Sequence, residues 1–309
     1  MKDVRKQIGN ENFLLACWGP RPELVGIADG CRIGDDGYSY AGLAQYNSYN
    51  NIIWRNDPDH IVLSDKEAYR SCVATSLTGS LFMVTDKPEK YSSSPLIDAA
   101  QRSIPVLYTQ PGQVYDIDPS VSSKIGLADV ELSGSGPRPF DASASTTTGL
   151  FSLELNKPFE NWLVLGRLDE RDPVLPMKDM GLDPTKDYLV FEFWTKKFLG
   201  IHQKQLVPGP IDPKYNCQVF CFREKMNHPQ LLATNRHISC GGYEISKAGW
   251  KDKEFFLEAE LVDGDDYKVY LYEPDGYEMN SIKCDGEVQY PQTKNGAVRV
   301  NLPFKGRDR

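Results

Sequence analysis

An arginine that stands four residues before a carboxylate is the first feature of this sequence that could support chemistry. The two residues are Arg32 and Asp36, and Asp29 and Asp35 add further carboxylates beside them. Hydrolysis of a glycosidic bond needs two carboxyl groups, one of them protonated, that flank the bond to be broken. Asp36 is a candidate for one of these groups, and Arg32 could hold a sugar hydroxyl. The same spacing also fits a surface ion pair that contributes little stability, so both interpretations stay open at this point.

Three other kinds of site are weaker candidates. Asp57, Asp59 and His60 form a carboxylate–histidine group that could bind a divalent ion. An aspartate after a strand more often caps a backbone turn, so we predict neither a metal nor a cofactor. Cys17 and His60 could form a nucleophile and its base, although a cysteine at a strand end is more often a core residue or a pocket wall. Residues 134–136 resemble a phosphate-binding loop only loosely, because no clear strand precedes them.

The segments around the charged residues are predicted to alternate between strands and helices. Four short apolar runs occur in the first third of the chain, at residues 13–17, 24–28, 51–54 and 80–84. Such continuous runs are typical of parallel strands that are buried on both faces. Helix-length segments are predicted at about residues 38–49, 65–79 and 92–103. This alternation predicts βα units, whose catalytic residues lie at the carboxyl ends of the strands. Arg32 and Asp36 fall at such an end.

The pattern changes in the rest of the chain, and it predicts an α/β plus all-β protein. Residues 1–105 hold four βα units, which is half of a (β/α)8 barrel. Residues 106–148 are rich in Pro, Gly, Ser and Thr and are predicted to be a linker that packs on the barrel. From residue 149 onward apolar and polar residues alternate in short runs, which is typical of an antiparallel β-sandwich over residues 149–309.

Composition limits the partners that this chain can have. The formal net charge is -8 over 309 residues and no basic cluster occurs, so we expect no nucleic-acid partner. The early apolar run at residues 13–18 is too short for a signal-peptide core or a membrane span. We therefore expect no membrane association and no export signal. As given, the chain reads as cytoplasmic, but a longer protein could be periplasmic or secreted, so localisation stays open. The seven scattered cysteines predict buried free thiols.

Four motifs in one order resemble the second half of the catalytic barrel of clan D α-galactosidases, the melibiase group of glycoside hydrolase families 27 and 36. "CWG" at residues 17–19 is similar to the family's Cys-Gly motif after the fifth strand. Arg32 and Asp36 are similar to the arginine and the acid/base aspartate of the sixth strand, with Asp29 in the matching place before them. "NDPD" at residues 56–59 is similar to the motif of the seventh strand.

The end of the barrel and the domain after it also resemble that family. Thr85 and Asp86 follow an apolar run, as a Ser/Thr-Asp pair does after the eighth strand. A β-sandwich follows the catalytic barrel in these enzymes, as we predict for this chain. The resemblance therefore implies the C-terminal half of a TIM barrel followed by an antiparallel sandwich.

The resemblance implies roles for individual residues. Asp36, rather than its neighbour Asp35, would be the acid/base catalyst of a retaining hydrolysis of terminal α-galactosides. The residues implied to bind substrate are Arg32, Cys17, Trp18 and Gly19. The residues implied to support them are Asp29, Asp57 and Asp59. Trp54 is a further candidate for a pocket wall. α-N-Acetylgalactosaminides and β-L-arabinopyranosides are alternative substrates.

The nucleophile of the family is an aspartate in a Lys-x-Asp motif at the end of the fourth strand, and no such motif precedes Phe13. We therefore expect the opposing carboxylate to come from a missing N-terminal half-barrel or from another protomer, and the chain alone to be inactive. The partner in catalysis would be an α-galactoside or an oligosaccharide. The alternative is a non-catalytic half-barrel plus sandwich that binds a carbohydrate or a partner protein.

Overall fold

The computed structural model describes residues 1–17, 19–34, 36–107, 114–116, 149–155, 162–262, 265–284, 287–289, 292–294 and 297–302. Trp18, Asp35 and most of the predicted linker lie outside these residues. The chain divides into two compact units. The first consists of Met1–Leu153, Leu165–Pro173 and Gly209–Cys217, and the second of Glu154–Val164, Val174–Pro208 and Gln218–Arg309. The predicted boundaries at residues 105 and 148 stay a prediction.

The first unit contains a small parallel sheet. Its strands are β1 (Leu15–Ala16), β2 (Gly30–Arg32) and β3 (Arg55–Asp57), in the order β1-β2-β3. Both pairs are parallel, and the register places Ala16 beside Cys31 and Arg32 beside Asp57. Isolated parallel bridges join Ile61 to Val84 and Asn50 to Trp54. The predicted parallel pairing is therefore confirmed for the three strands.

Two of the strands begin later than the apolar runs predict. In the run at residues 24–28, a 3₁₀ helix (Pro22–Leu24) is followed by a turn in which the N–H of Ala28 donates to the carbonyl of Leu24 at 3.0 Å. In the run at residues 51–54, the N–H of Ile53 bonds to the carbonyl of Tyr49 at 3.0 Å. Both runs supply core side chains, Leu24 and Ala28 in one and Trp54 in the other, but Val25 and Ile52 are exposed. Hydrophobicity alone does not distinguish such a turn from a buried strand. The fourth run, residues 80–84, is not a strand; it forms the bridge at Val84, and the N–H of Leu81 donates to the carbonyl of Asn56 at 2.9 Å.

The helices of the first unit agree with the sequence prediction more closely. They are α1 (Lys2–Ile8), α2 (Tyr40–Tyr46), α3 (Ala68–Thr78), α4 (Lys90–Ser93) and α5 (Ile97–Ser103). The hydroxyl of Ser39 caps α2 by accepting from the N–H of Gly42 at 3.0 Å. Every residue of α3 is buried, and the helix ends at Gly79 in the left-handed conformation, with φ 67°. A C-terminal glycine of this kind was predicted from the sequence.

The rest of the described chain is antiparallel β-structure. Its strands are β4 (Val114–Asp116), β5 (Leu150–Leu155), β6 (Trp162–Arg167), β7 (Leu175–Pro176), β8 (Tyr188–Glu192), β9 (Lys197–His202), β10 (Gln205–Leu206), β11 (Gln218–Glu224), β12 (Gln230–Thr234), β13 (Ile245–Lys251), β14 (Glu254–Ala259), β15 (Tyr267–Tyr272), β16 (Ile282–Cys284), β17 (Glu287–Gln289), β18 (Gln292–Lys294) and β19 (Ala297–Leu302). Besides Pro22–Leu24, short 3₁₀ helices span Asn47–Tyr49 and Met177–Met180.

The second unit is organised around two sets of these strands. Strand β8 pairs with both β9 and β11, and β15 pairs with both β12 and β19, all antiparallel. In β14 exposed and half-buried residues alternate, as the two-residue period predicts. Strand β8 is buried along its whole length instead, because its sequence "YLVFE" is apolar at four of five positions. The antiparallel pairing is thus confirmed, whereas the arrangement as a half-barrel and a sandwich stays a proposal.

Two further expectations concern membranes and cysteines. Among the described helices, none is both long and apolar enough to cross a membrane. The six cysteines whose side chains are described are free thiols, and five of them are buried. Cys17 is the exposed one, so the prediction of buried thiols holds for the other five.

Gly79 gives a test of the fold. An added Cβ would lie 3.1 Å from Asn51 Nδ2 and 3.3 Å from the Leu107 carbonyl oxygen, in a left-handed conformation that L-residues avoid. We expect Gly79→Ala to lower the free energy of unfolding by about 1–2 kcal/mol, measured by urea denaturation. Gly209→Ala is the control, because its added Cβ meets nothing within 4 Å. Equal stability of the two variants would contradict this account of the helix end.

Candidate active site

Arg32 lies at the carboxyl end of β2, where the register sets it beside Asp57 of β3. Residues paired across neighbouring parallel strands project from the same face of the sheet. The Nε atom of Arg32 therefore reaches Asp57 Oδ2 at 3.0 Å. The Asp57 side chain is fully buried and that of Arg32 is 14% exposed. The sheet register alone thus brings a guanidinium to a buried carboxylate.

Asp59 binds the same guanidinium from the loop after β3. Its Oδ2 lies 3.0 Å from Arg32 Nη1 and also accepts the N–H of Gly37 at 2.5 Å. The left-handed backbone of Asp59, with φ 75°, is supported by its own N–H, which donates to Asp57 Oδ1 at 2.8 Å. Asp59 Oδ1 accepts from the backbone N–H of His60 at 2.7 Å and lies 2.8 Å from its Nδ1. Asp59 therefore connects the arginine, the loop after β2 and a histidine.

Hydrogen bonds and neighbouring charges favour the ionised states of Arg32 and Asp59. Burial by itself raises the pKa of Asp59, but hydrogen bonds from Gly37 and His60 and the charge of Arg32 outweigh it, so the pKa lies below its ordinary value. For Arg32, burial lowers the pKa, but the hydrogen bond to Asp57 and the charges of both aspartates outweigh it and raise the pKa. Arg32 and Asp59 are therefore a cation and an anion at neutral pH.

Asp36 faces this assembly from the solvent side. Its carboxylate Oδ1 lies 3.6 Å from Arg32 Nη1, and its side chain is fully exposed. That separation is an ion pair rather than a hydrogen bond. Gly37, the next residue, has φ 98°, a left-handed conformation in which its N–H points to Asp59. The backbone next to Asp36 is thus held while the Asp36 carboxylate stays free to meet a ligand.

Two of the residues predicted to bind substrate follow β1 and lie near the same strand ends. Cys17 directly follows β1, and continuation of the register past Ala16 and Cys31 sets it beside Arg32. Its thiol is exposed. Gly19 is half-buried, and an added Cβ there would meet nothing within 4 Å. Trp18 lies outside the described residues. The open space beside Gly19 is compatible with a pocket at these strand ends.

Asp29 and Trp54 are placed elsewhere. Asp29 precedes β2 at its amino end, the opposite end from Arg32, where it pairs with Arg5 and accepts the N–H of Leu14 at 2.7 Å. The hydrogen bond from Arg5 and then that from Leu14 hold the pKa of Asp29 below its ordinary value. Trp54 is buried in the cluster that includes Cys31, and its indole N–H lies 3.2 Å from Asn56 Oδ1. Trp54 is therefore a core residue and not a pocket wall.

His60 is the residue that sequence reasoning did not place at the site of Arg32. It was considered only as a metal ligand or as a base for Cys17, whereas the structure joins it to Asp59. The available signal was its position directly after "NDPD", because a residue adjacent to a buried carboxylate can share that carboxylate's hydrogen bonds. No group of three or more metal-ligating side chains occurs in the described parts of the chain.

Comparison with known proteins adds the following findings. No protein-family model matches the chain, and no curated protein matches its sequence. Among solved structures, the chain is similar to a GH27 β-L-arabinopyranosidase from Geobacillus stearothermophilus, with a TM-score of 0.49 and 14% identity over 73% of this chain and 54% of that one. A variant of that enzyme in complex with arabinose is similar with a TM-score of 0.46, at the same identity and coverage.

A third solved structure is α-galactosidase I from Mortierella vinacea, with a TM-score of 0.39 and 14% identity over 72% of this chain and 61% of that one. The chain thus spans about half the length of the first two structures.

Removal of Asp57 tests the assembly around Arg32. Asp57→Ala leaves one buried carboxylate for the arginine and removes the acceptor of the Asp59 N–H. We expect the free energy of unfolding to fall by about 3 kcal/mol or more, because one partner of a buried ion pair is lost. The control is Arg171→Ala, which removes the more exposed pair with Asp169 and should cost below about 1 kcal/mol. Equal costs in urea denaturation would refute the special role of Asp57.

The lowered pKa of Asp59 predicts a dependence of stability on pH. A carboxyl group with a lower pKa in the folded state stabilises the protein above its ordinary pKa of 3.8, and this stabilisation is lost as pH falls through the folded value. The difference in free energy of unfolding between the wild type and Asp59→Asn should therefore be full near neutral pH and shrink below pH 3.8. Gly209→Ala, which removes no titrating group, should show a constant difference in the same series of urea titrations.

Proposed function

We propose that Arg32 and Asp36 form the acid/base side of a retaining glycoside hydrolase site of the clan D type. The observation that carries the proposal is the geometry of the guanidinium. Two buried carboxylates fix it at 3.0 Å each, and its Nη1 also faces the exposed Asp36 carboxylate at 3.6 Å. A fixed cation next to an accessible carboxyl group suits proton transfer to a bound ligand. The order of the four motifs supports the same assignment.

Charge compensation supports the acid/base role of Asp36. Arg32 carries one positive charge and forms ion pairs with the buried carboxylates of Asp57 and Asp59. The two buried carboxylates offset the positive charge that Asp36 faces. Asp36 can then exchange a proton with a glycosidic oxygen without leaving an uncompensated buried cation behind. In a retaining mechanism this residue first donates the proton to the leaving oxygen and later takes one from water.

Asp57 and Asp59 do not suit the second carboxylate of the mechanism. Both side chains are buried and each is engaged with Arg32, so neither is placed to attack an anomeric carbon. We place the opposing carboxylate on a segment or subunit outside the described residues. The substrate class is a terminal α-galactoside, with α-N-acetylgalactosaminide and β-L-arabinopyranoside as stereochemical relatives. A non-catalytic site that binds sugar is the alternative, and turnover distinguishes the two.

Binding of p-nitrophenyl α-galactoside tests the assignment of Asp36. We expect Asp36→Ala to weaken binding roughly tenfold or more in isothermal titration, since a hydrogen bond to a charged group contributes about 1.5–3 kcal/mol. Because the side chain of Asp36 is exposed, the variant should unfold at the same urea concentration as the wild type. Asp35→Ala is the matched control, with an unchanged affinity. If Asp35→Ala weakens binding and Asp36→Ala does not, the assignment is one residue out of register.

Turnover of the same compound tests where the second carboxylate lies. We expect the 309-residue chain by itself to bind the galactoside without releasing p-nitrophenol, because loss of a nucleophile costs several orders of magnitude in rate. Release that depends on Asp36 would show that this chain, or a second copy of it, supplies the nucleophile. The second measurement uses a longer protein or an assembly that supplies the opposing carboxylate. If that protein also binds the galactoside without turnover, the non-catalytic alternative is correct.

A further inference from the structure

The inference concerns His60 and begins from the hydrogen bond of its ring. Nδ1 of His60 lies 2.8 Å from Asp59 Oδ1, and the same oxygen accepts the backbone N–H of His60. An ionised carboxylate can only accept hydrogen bonds, so the ring nitrogen that faces it must carry the proton. In a neutral imidazole this leaves the lone pair on Nε2. Asp59 thus selects the tautomer of His60.

The ring is anchored close to the guanidinium of the candidate site. Asp59 Oδ1 binds His60, while Asp59 Oδ2 binds Arg32 Nη1 at 3.0 Å and the N–H of Gly37 at 2.5 Å. One carboxylate therefore separates the imidazole from the arginine that faces Asp36. The His60 side chain is 40% exposed. Within the part of the chain that the structure describes, Nε2 forms no hydrogen bond, so its lone pair is available to a ligand.

We propose that His60 is a specificity-determining residue whose Nε2 accepts a hydrogen bond from a hydroxyl of the sugar held by Arg32 and Asp36. This rests on the proposed function and adds the recognition of one hydroxyl to it. A sugar hydroxyl both donates and accepts hydrogen bonds. The guanidinium of Arg32 can only donate, so a hydroxyl that accepts from Arg32 must direct its own proton to another acceptor. The Nε2 lone pair is an acceptor in the neighbourhood of that guanidinium.

The arrangement also predicts which ligands are rejected. A site that is built to hydrogen-bond a hydroxyl rejects an analogue without that hydroxyl, because polar groups of the site are then left unpaired. A galactose analogue that lacks the relevant hydroxyl should therefore bind more weakly to the wild type. The affinity for the same analogue should fall little or not at all further in a variant of His60 that lacks the Nε2 acceptor.

Nitrogen NMR of the protein with ¹⁵N-labelled histidine tests the tautomer directly. The chain has four histidines, so the resonances of His60 are identified by their loss in His60→Gln. For the neutral imidazole of His60 we expect the proton on Nδ1 and an unprotonated Nε2. Addition of D-galactose or L-arabinose should shift the Nε2 resonance and leave that of His202 unchanged. A proton on Nε2 in the free protein would overturn the proposal.

Two variants separate contact with the sugar from a structural role. His60→Asn keeps a short donor that can reach Asp59 and lacks an acceptor at the place of Nε2, so it should fold like the wild type and bind the sugar roughly fivefold to tenfold more weakly, as for one lost neutral hydrogen bond. His60→Gln carries an amide oxygen near the place of Nε2 and should recover part of the affinity. His202→Asn serves as the control, with unchanged binding.

The outcomes distinguish this proposal from the one on which it rests. If Asp36→Ala weakens sugar binding and His60→Asn does not, His60 has no role in recognition while the proposed function stands. If the wild type binds neither galactosides nor arabinose, the proposed function fails and the ligand of His60 fails with it. A shift of the Nε2 resonance on addition of sugar, together with weaker sugar binding by His60→Asn, supports both the proposed function and the role of His60.

Discussion

The pairing of one guanidinium with two buried carboxylates is the constraint on which the candidate site depends. Arg32 leaves the parallel sheet at the end of β2, and Asp57 and Asp59 meet it from β3 and the loop behind it. Transfer of three charged groups from water to a protein interior is costly, and the ion pairs offset that cost only if their geometry is accurate. A displacement of either loop would leave a charged group unpaired. The arrangement therefore holds the two loops in one register.

Backbone hydrogen bonds extend this constraint to the described residues of the loop that carries Asp36. The N–H of Ile33 donates to the carbonyl of Asp57 at 3.0 Å, and the N–H of Ser39 donates to that of Pro58 at 2.9 Å. Ser39 in turn caps the following helix. The described backbone on both sides of Asp36 is fixed in this way, yet its side chain is the most exposed of the assembly. A supported backbone with an exposed carboxyl group is what the proposed acid/base role of Asp36 would require.

The second unit rests on a different physical basis. Its antiparallel strands alternate where one face meets solvent, as in β14, and lose the alternation where both faces are buried, as in β8. Large aromatic side chains, including Trp162, Phe191 and Phe220, are fully buried there. Its described core is therefore mainly apolar, although Glu192, Arg223 and Glu244 are buried there as well.

By itself the sequence determined the kinds of element, the parallel and antiparallel halves of the chain, the end of α3 at Gly79, and Arg32 and Asp36 as the residues to examine. These features are local, because they follow from hydrophobic period, turn residues and the spacing of charged side chains. Only the tertiary structure decided that the apolar runs before β2 and β3 are turns with only some of their side chains buried, that Trp54 belongs to the core, and that Asp29 lies at the opposite end of β2 from Arg32. Only the tertiary structure joined His60 to Arg32 through Asp59. The physical reason is that strand register and loop conformation bring residues that are distant in the sequence to within hydrogen-bonding distance of one another. Neither the register nor the loop conformation follows from the spacing of residues along one segment.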